Sequence, residues 1–327
     1  PYSFGAHKPG WSIVPSRREA TVPPDAASHD FVGFTDEGWN TEIVGDLGYS
    51  YDTVAVQGNY AYIGQHLALT VFDVSNPELL VKAGTTPMLG GLVGGVYISG
   101  THAYLAAGVA GLQVVDVSDP AHPTPIGAYP TQGMAQDVVV SGNYAYLAMA
   151  CRVISVECPG AGLEVVNIFD PAHPAGAGFV PTPNDAVDVA IEGGYAYLAE
   201  TCDAFEGTGG GLRVVNVSDP GNPLDLGLYD TPGYPRGLAV VGNHAYYAED
   251  SVWDGDQEVG GGLHVLDISD PGNPGQVGHY DAAYGANGVD VAGAYAYVTV
   301  GWNTLSVVNI SDPANPTEAT SLQLSVG

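Results

Sequence analysis

The chain has few basic side chains, no long apolar run and only three cysteines among its 327 residues. Seven Lys and Arg residues stand against 36 Asp and Glu, which gives a formal net charge of -29. Nucleic-acid binding is therefore not expected, because affinity for phosphates comes largely from Lys and Arg. A membrane-spanning helix is not expected either, since no run of about 18 apolar residues occurs. Such acidity keeps a surface soluble, and it can also attract cations or a basic partner.

The three cysteines are Cys151, Cys158 and Cys202, and no two of them form a Cys-x-x-Cys motif. This excludes attached haem and the common zinc patterns. Cys151 and Cys158 bracket one loop, and a bridge between them would stabilise it by about 2–3 kcal/mol in the chain-entropy model. A Cys158–Cys202 bridge is the competing pairing. Because disulfides suit oxidising compartments and the sequence starts at Pro1, we expect an exported protein, extracellular or on the cell surface, that has lost a signal peptide.

What the sequence has in abundance is one repeated pattern, in which an Ala-Tyr pair is followed by an apolar run that ends in Asp or Asn. The tyrosines of the pairs are Tyr62, Tyr104, Tyr146, Tyr197, Tyr246 and Tyr297, at spacings of 42 to 51 residues. A period of about 40–50 residues made only of strand patterns indicates a propeller with one blade per repeat. The sequence therefore predicts an all-β fold: a six-bladed β-propeller of four-stranded antiparallel blades over 41–327, preceded by an irregular, extended N-terminal arm over 1–40.

The apolar runs resemble the LVIVD repeat. They read GLQVVDVSDP at 111–120, GLEVVNIFDP at 162–171, GLRVVNVSDP at 211–220 and GLHVLDISDP at 262–271, with looser copies at 69–77 and 305–313. The resemblance covers about 41–326 and implies an extracellular or surface-attached propeller. It supplies no catalytic motif.

Seven segments read as fourth strands, although only six complete sets of the first three strands occur. The count exceeds six by one because both terminal segments, 41–49 and 319–326, resemble fourth strands. One of them is predicted to pair with the other end of the chain and latch the ring, because an open ring would leave two exposed sheet edges.

The repeated Asp or Asn is the first candidate for chemistry, and it stands at Asp73, Asp116, Asn167, Asn216, Asp267 and Asn309. Carboxylate and amide alternate there, so what the copies share is a short acceptor rather than a charge. We predict that it accepts a backbone N–H in the following turn. His122 and His173, in Pro-Ala-His-Pro turns, are predicted to face solvent.

The links between the second and third strands are long in the third, fourth and fifth copies, at about 149–161, 200–210 and 249–261. All three open on the same face of the ring, and loops of this kind usually carry binding. This predicts a partner-binding face with the following residues: Glu200, Asp203, Glu206, Glu249, Asp250, Trp253, Asp254, Asp256 and Glu258.

Within that face, Asp254, Asp256 and Glu258 place oxygens at alternate positions, as a calcium loop does. They are a candidate calcium site, weighed against acidic side chains that are simply solvated. No other cofactor is expected.

The first strands should line the central channel, and they carry Asp137, Asp188 and Asp290. Asp188 and Asp290 align with Asp137 in their copies, whereas Gly95 and Gly237 stand there in the second and fifth copies. Carboxylates that converge on a channel could bind a cation or raise one another's pKa. The alternative is the polar lining of a solvent-filled tunnel.

The arm carries Lys8, Trp11, Arg17 and Arg18. It is expected either to lie across its own acidic propeller or to dock on another protein or subunit. The sequence thus predicts a non-enzymatic module for protein interaction or self-assembly, such as in a filament or surface structure. The alternatives are a propeller hydrolase or lyase that uses the channel carboxylates, and a calcium- or carbohydrate-binding module.

Overall fold

The computed structural model describes residues 53–76, 79–151, 160–201, 210–231, 233–251, 261–301 and 303–323. Beyond these it describes the backbone of four short strands: β1 (Ser12–Pro15), β2 (Thr41–Gly45), β21 (Val252–Asp254) and β22 (Gln257–Val259). The described residues form strands and turns and contain no helix, and so none that could cross a membrane.

The first three blades are built from twelve consecutive strands: β3 (Thr53–Gln57), β4 (Tyr60–Gln65), β5 (Ala68–Asp73), β6 (Val81–Thr85), β7 (Gly95–Ser99), β8 (His102–Ala106), β9 (Leu112–Asp116), β10 (Thr124–Tyr129), β11 (Met134–Ser141), β12 (Tyr144–Ala150), β13 (Gly162–Asn167) and β14 (Ala175–Pro181). The last three blades comprise β15 (Ala186–Glu192), β16 (Tyr195–Glu200), β17 (Gly211–Asn216), β18 (Leu224–Asp230), β19 (Tyr234–Val241), β20 (His244–Asp250), β23 (Gly262–Asp267), β24 (Gly275–Tyr280), β25 (Ala286–Ala292), β26 (Tyr295–Val300), β27 (Thr304–Asn309) and β28 (Thr317–Gln323).

Each blade is a four-stranded antiparallel sheet whose strands follow chain order from the axis outward. The hairpin β21–β22 is inserted in the fifth blade between its second and third strands. Successive innermost strands contact one another from β3 through β7, β11, β15 and β19 to β25. The predicted six-bladed propeller is therefore confirmed.

The predicted latch between the chain ends is wrong for the strands that the structure describes. β28 pairs with β27 as the fourth strand of its own blade, and β2 pairs with β1. Neither terminal strand therefore joins the sheet at the other end of the chain.

The core lies between the blades, because each sheet buries both faces. One apolar cluster joins the first and second blades, and further clusters join the second to the third, the third to the fourth, the fourth to the fifth and the fifth to the sixth. The six tyrosines of the Ala-Tyr pairs are all buried in these layers or in the cluster on the sixth blade. Aromatic area thus packs between sheets, as the repeat predicts.

The repeated Asp or Asn does what the sequence predicts. In all six copies its Oδ1 accepts the N–H two residues later, at 2.8–2.9 Å. His122 and His173 are exposed and contact Asp119 and Asp170 of the same turns. These polar groups build turns, so they are not candidates for catalysis.

A glycine in the fourth strand of one blade lies against the Asp-Pro turn of the next. A Cβ on Gly84 would fall 2.5 Å from the carbonyl oxygen of Pro120. The same close approach joins Gly127 to Pro171, Gly178 to Pro220 and Gly278 to Pro313. The repeated Asp-Pro turn therefore acts as a contact between blades, and any side chain at these glycines would push it away.

Candidate functional site

A cavity of about 610 Å³ lies on the axis, and all six blades contribute to its wall. Its lining comes from the beginnings of the innermost strands and from the links that precede them, such as Leu92 to Gly94. In an antiparallel blade these links lie on the same face as the connections between second and third strands. The cavity therefore opens on the face that carries the three long loops.

Asp137 and Asp188 line this cavity but are tied to the main chain. Asp137 is 3% exposed and its Oδ2 accepts the N–H of Val189 in the next blade at 3.3 Å. Asp188 is 2% exposed and accepts the N–H of Leu238, again in the next blade, at 2.7 Å. Each carboxylate thus joins two innermost strands, which is a structural use of the charge.

Asp290 does not line the cavity, which corrects the sequence alignment. Asp137 pairs with Ala148 across its blade, and the residue in the same register of the sixth blade is Gly288, opposite Thr299. The alignment was displaced by two residues. Asp290 instead accepts the N–H of Val291, and its charge adds to burial and to Tyr295 in raising the pKa of Tyr297.

Where the aspartate is missing, glycine allows the strands to approach. A Cβ on Gly237 would fall 2.9 Å from the Cα of Gly288 in the next blade. In the same way, a Cβ on Gly95 would fall 2.7 Å from the Cα of Asp137 in the next blade. The presence of either Asp or Gly at this position in the second to sixth blades is therefore explained by two ways of joining neighbouring strands.

Arg236 is the cationic side chain in the described wall of the cavity. It is about half exposed and lies 3.3 Å from Asp250. The described lining includes Gln136 and Asn287 but no histidine, serine or cysteine. Besides Asp137 and Asp188, it offers the hydroxyl of Thr53, two side-chain amides and one positive charge.

Glu200 was predicted on the partner-binding face, but the structure buries it completely. Its carboxylate accepts two hydrogen bonds from the Arg213 guanidinium, whose remaining arm reaches Asp225 at 2.8 Å. Burial raises the pKa of Glu200 to about 7, against the opposing charge of Arg213. For Arg213, burial lowers the pKa, but the two carboxylates outweigh it and the net shift is upward.

Glu249 is likewise buried rather than presented to a partner. Its carboxylate accepts the N–H groups of Gly233 and Gly261 at 3.0 and 3.2 Å and lies 2.9 Å from His264 Nε2. Burial acts to raise the pKa of Glu249, but His264 and the hydrogen bonds outweigh it, so the pKa is lowered. The His264 ring stacks on Tyr247 at 4.7 Å.

These two pairs were missed from sequence, although a signal existed. Only the fourth and fifth copies end the second strand in Glu and also place a basic residue in the third, as AYLAE with GLRVV and AYYAE with GLHVL. The Glu and the basic residue are diagonal neighbours across the two strands, so their side chains meet. The pairs hold the bases of two long loops.

In the long loop of the third blade, Cys151 donates its N–H to Asp185 at 2.7 Å. Cys151 is disulfide-bonded. Cys158 and Cys202 lie outside the described residues, so the Cys151–Cys158 bridge stays a prediction. The alternative Cys158–Cys202 pairing does not fit a bonded Cys151.

Other predicted site residues lie outside the described residues, namely Lys8, Trp11, Arg17, Arg18, Asp203, Glu206 and Asp256. For Trp253, Asp254 and Glu258 the backbone alone is described. That backbone forms a hairpin in which Asp254 pairs with Gln257. The calcium prediction for Asp254, Asp256 and Glu258 therefore stays a prediction, and the described residues contain no cluster of potential metal ligands.

Beside the cavity mouth, the links around the second blade expose apolar side chains. Met88, Leu92 and Val109 are 81%, 61% and 56% exposed, and the last two line the cavity. Exposed apolar residues also occur on the opposite face, for example Phe169. Those at the mouth are distinct because they adjoin a concave surface.

The family model of the LVIVD repeat matches this chain at residues 48–85, 90–131, 132–182, 183–231, 232–282 and 285–323. No curated protein matches the sequence. Among solved structures, the periplasmic gluconolactonase of Pseudomonas aeruginosa is similar, with a TM-score of 0.71, 13% identity and coverage of 99% of this chain and 96% of that one.

Two further solved structures are similar in fold. A functionally unknown protein from Desulfotomaculum acetoxidans has a TM-score of 0.64 and 15% identity, covering 81% of this chain and 80% of that one. The computationally designed Ika8 protein has a TM-score of 0.64 and 9% identity, covering 99% of this chain and 90% of that one. At these identities the likeness concerns the fold alone.

Proposed function

The chain belongs to the LVIVD-repeat family, and we propose that it is a non-catalytic binding module that takes a protein segment on the face bearing the long loops. The observation that carries this proposal is that the polar side chains common to several blades have structural roles. The repeated carboxylates and amides hold turns, and Asp137 and Asp188 join neighbouring blades. What differs between blades is concentrated in the loops around the cavity mouth.

The loop bases support the same proposal, because they are held rigidly. Glu200 with Arg213 and Glu249 with His264 fix the ends of the fourth- and fifth-blade loops from below. Binding costs less free energy when the binding surface is ordered in advance. Such anchoring suits loops that recognise a partner.

The chemistry of the partner follows from the loop face. The three loops carry acidic residues, including Asp203, Glu206, Asp256 and Glu258, whereas Leu92 and Val109 offer apolar area at the mouth. Charge complementarity favours a segment that combines basic with apolar side chains. The segment belongs to a protein of an extracellular or surface assembly, such as a filament, or to another copy of this chain.

The test measures binding of a short fluorescein-labelled peptide of Lys and Leu by fluorescence anisotropy. A matched peptide of Glu and Leu controls for apolar adhesion. We expect the basic peptide to bind, with an affinity that falls as salt rises. A variant with Asp203→Asn, Glu206→Gln, Asp256→Asn and Glu258→Gln is expected to bind about tenfold more weakly.

The matched control removes the same charge from the opposite face through Asp119→Asn, Asp170→Asn, Asp219→Asn and Asp270→Asn. These turns tolerate an amide, since Asn76 stands at the same position in the first repeat. An equal loss of affinity in both variants would show non-specific attraction to the net charge and would end the proposal.

Lactone hydrolysis is the second candidate, favoured by the likeness to a protein named as a gluconolactonase and by the presence of an axial cavity. Opposed to it, Asp137 and Asp188 are bound to main-chain N–H groups. The test compares gluconolactone hydrolysis with its spontaneous rate. A rate above background that disappears in Arg236→Gln, with folding intact, would favour this candidate over the binding module.

A further inference from the structure

We infer that β1 and β2 are the outer half of a further, partial blade that lies between the sixth and first blades and closes the ring. This places the strands Ser12–Pro15 and Thr41–Gly45 inside the propeller rather than across its surface. The inference is independent of the proposed binding function.

The first argument is the register of β1 and β2. Ser12 pairs with Gly45 and Ile13 with Ile43, so Val44, directly before the glycine, is skipped. In the second blade Val114 pairs with Gly127 and Val115 with Pro125, which skips Ile126 in the same way.

The same shift occurs between the third and fourth strands of the other blades, in the pairs β5–β6, β13–β14, β17–β18 and β23–β24 before Gly84, Gly178, Gly227 and Gly278. First and second strands differ, because they pair without a shift in the first two blades, and elsewhere the skipped residue lies in the earlier strand, as at Gln136. Second and third strands pair without a shift. The geometry of β1–β2 is therefore that of third and fourth strands.

The second argument is the boundary between the sixth and first blades. Five boundaries are filled by apolar clusters that span two blades, but among the described residues none spans this one. The first blade has its own cluster, with Ile63 and Phe72, and the sixth has another, with Tyr297 and Leu305. All four residues are at most 8% exposed, so another part of the chain covers both faces.

The third argument concerns the contact between the fourth-strand glycine of one blade and the Asp-Pro turn of the next. At this boundary the sixth blade lacks the glycine and the first blade lacks the complete turn. Thr320 stands in the register position that Gly127 and its counterparts occupy elsewhere. In the first repeat, Leu80 stands where Pro123 ends the turn of the second. The fourth–fifth boundary also lacks the close approach, because a Cβ on Gly227 would have no atom within 4 Å, but there the glycine itself is kept.

Chain order and fold similarity agree with this placement. The segment directly precedes the first blade, so it enters the ring at the boundary in question. The likeness to the gluconolactonase covers 99% of this chain and thus includes residues before Thr53. A pair of outer strands there buries both apolar faces, which would otherwise meet water.

The test uses the full chain with a specific protease site inserted between Tyr49 and Ser50. After cleavage, we expect the N-terminal fragment to co-elute with the propeller at monomer size and to separate only in denaturant. In the uncleaved wild-type protein, hydrogen exchange at Ile13 and Ile43 should be slowed about 100-fold or more relative to an unstructured peptide, as in β10.

Release of the fragment without loss of thermal stability, or fast exchange at Ile13 and Ile43, would overturn the inference. Co-elution at dimer size would overturn it as well, because the segment would then belong to a neighbouring copy. Binding of a hydrophobic dye on cleavage, together with release, would show exposed faces but no stable partial blade, and would also count against it.

Discussion

Asp188 Oδ2 accepts the main-chain N–H of Leu238 at 2.7 Å, across the boundary between the fourth and fifth blades. Asp137 makes the equivalent bond to Val189 one blade earlier. A buried carboxylate in a channel is often taken as a sign of catalysis, yet here it makes a hydrogen bond between neighbouring sheets. The ring thus uses its axial charges to hold innermost strands together.

This relationship predicts the effect of two substitutions at one position. Asp188→Ala leaves the Leu238 N–H buried without its acceptor and should lower the free energy of unfolding by about 1–3 kcal/mol. Asp188→Asn keeps an acceptor and should cost clearly less. Urea denaturation measures both, and equal losses would contradict the role of Asp188 as an acceptor.

The ion pair of Arg213 with Glu200 predicts that substitutions of the two residues have non-additive effects on the free energy of unfolding. Arg213→Ser leaves Glu200 buried without a counter-charge and should destabilise the protein by about 3–5 kcal/mol. Adding Glu200→Val should recover much of that loss, because Val300 and Ser306 occupy the same two positions in the sixth blade. Denaturant midpoints of the single and double variants test this, and additive losses would count against a coupled pair.

The contact between a fourth-strand glycine and the Asp-Pro turn predicts that replacing two different fourth-strand glycines by alanine lowers the stability by different amounts. Gly127→Ala would drive its Cβ into the carbonyl oxygen of Pro171 and should cost about 1–3 kcal/mol. Gly275→Ala has no atom within 4 Å of the new Cβ and is the control. Equal melting temperatures for the two variants would refute the contact.

His279 predicts a pH dependence of stability. Burial, reinforced by the nearby His264, lowers the pKa of His279, although Asp281 and Glu249 act to raise it. Below about pH 6.5 the unfolded chain therefore binds a proton that the folded state resists, so stability falls as pH falls. His279→Leu, which copies Leu228 of the fourth blade, should lose less stability between pH 7 and pH 5. An unchanged pH profile by thermal unfolding would contradict this assignment.

The repeat made much of the fold predictable from sequence. The structure confirms the positions of the Ala-Tyr pairs, the Asp or Asn acceptors and the exposed His122. These features recur, so each repeat supports the assignment made in the others. The latch failed for the opposite reason: a terminal strand occurs once, so nothing in the pattern says with which strand it pairs.

The candidate site was less predictable, because it depends on side chains that do not repeat. Glu200 and Glu249 were assigned to the loop face from their position next to long loops, whereas diagonal pairing with Arg213 and His264 buries them. Asp290 was misplaced by two residues, although the sequence shows the difference: Asp137 stands seven residues before Tyr144, whereas the residue seven before Tyr295 is Gly288.

Hydrogen exchange of the full chain, with and without the basic Lys and Leu peptide, tests the central claim most directly. If the repeats build the ring and the loop face binds, the peptide should slow exchange in segments 149–161, 200–210 and 249–261 and at Leu92 and Val109. Slowed exchange confined to the turns around Asp119, Asp170 and Asp219 on the opposite face, or no change in the three loops, would contradict it.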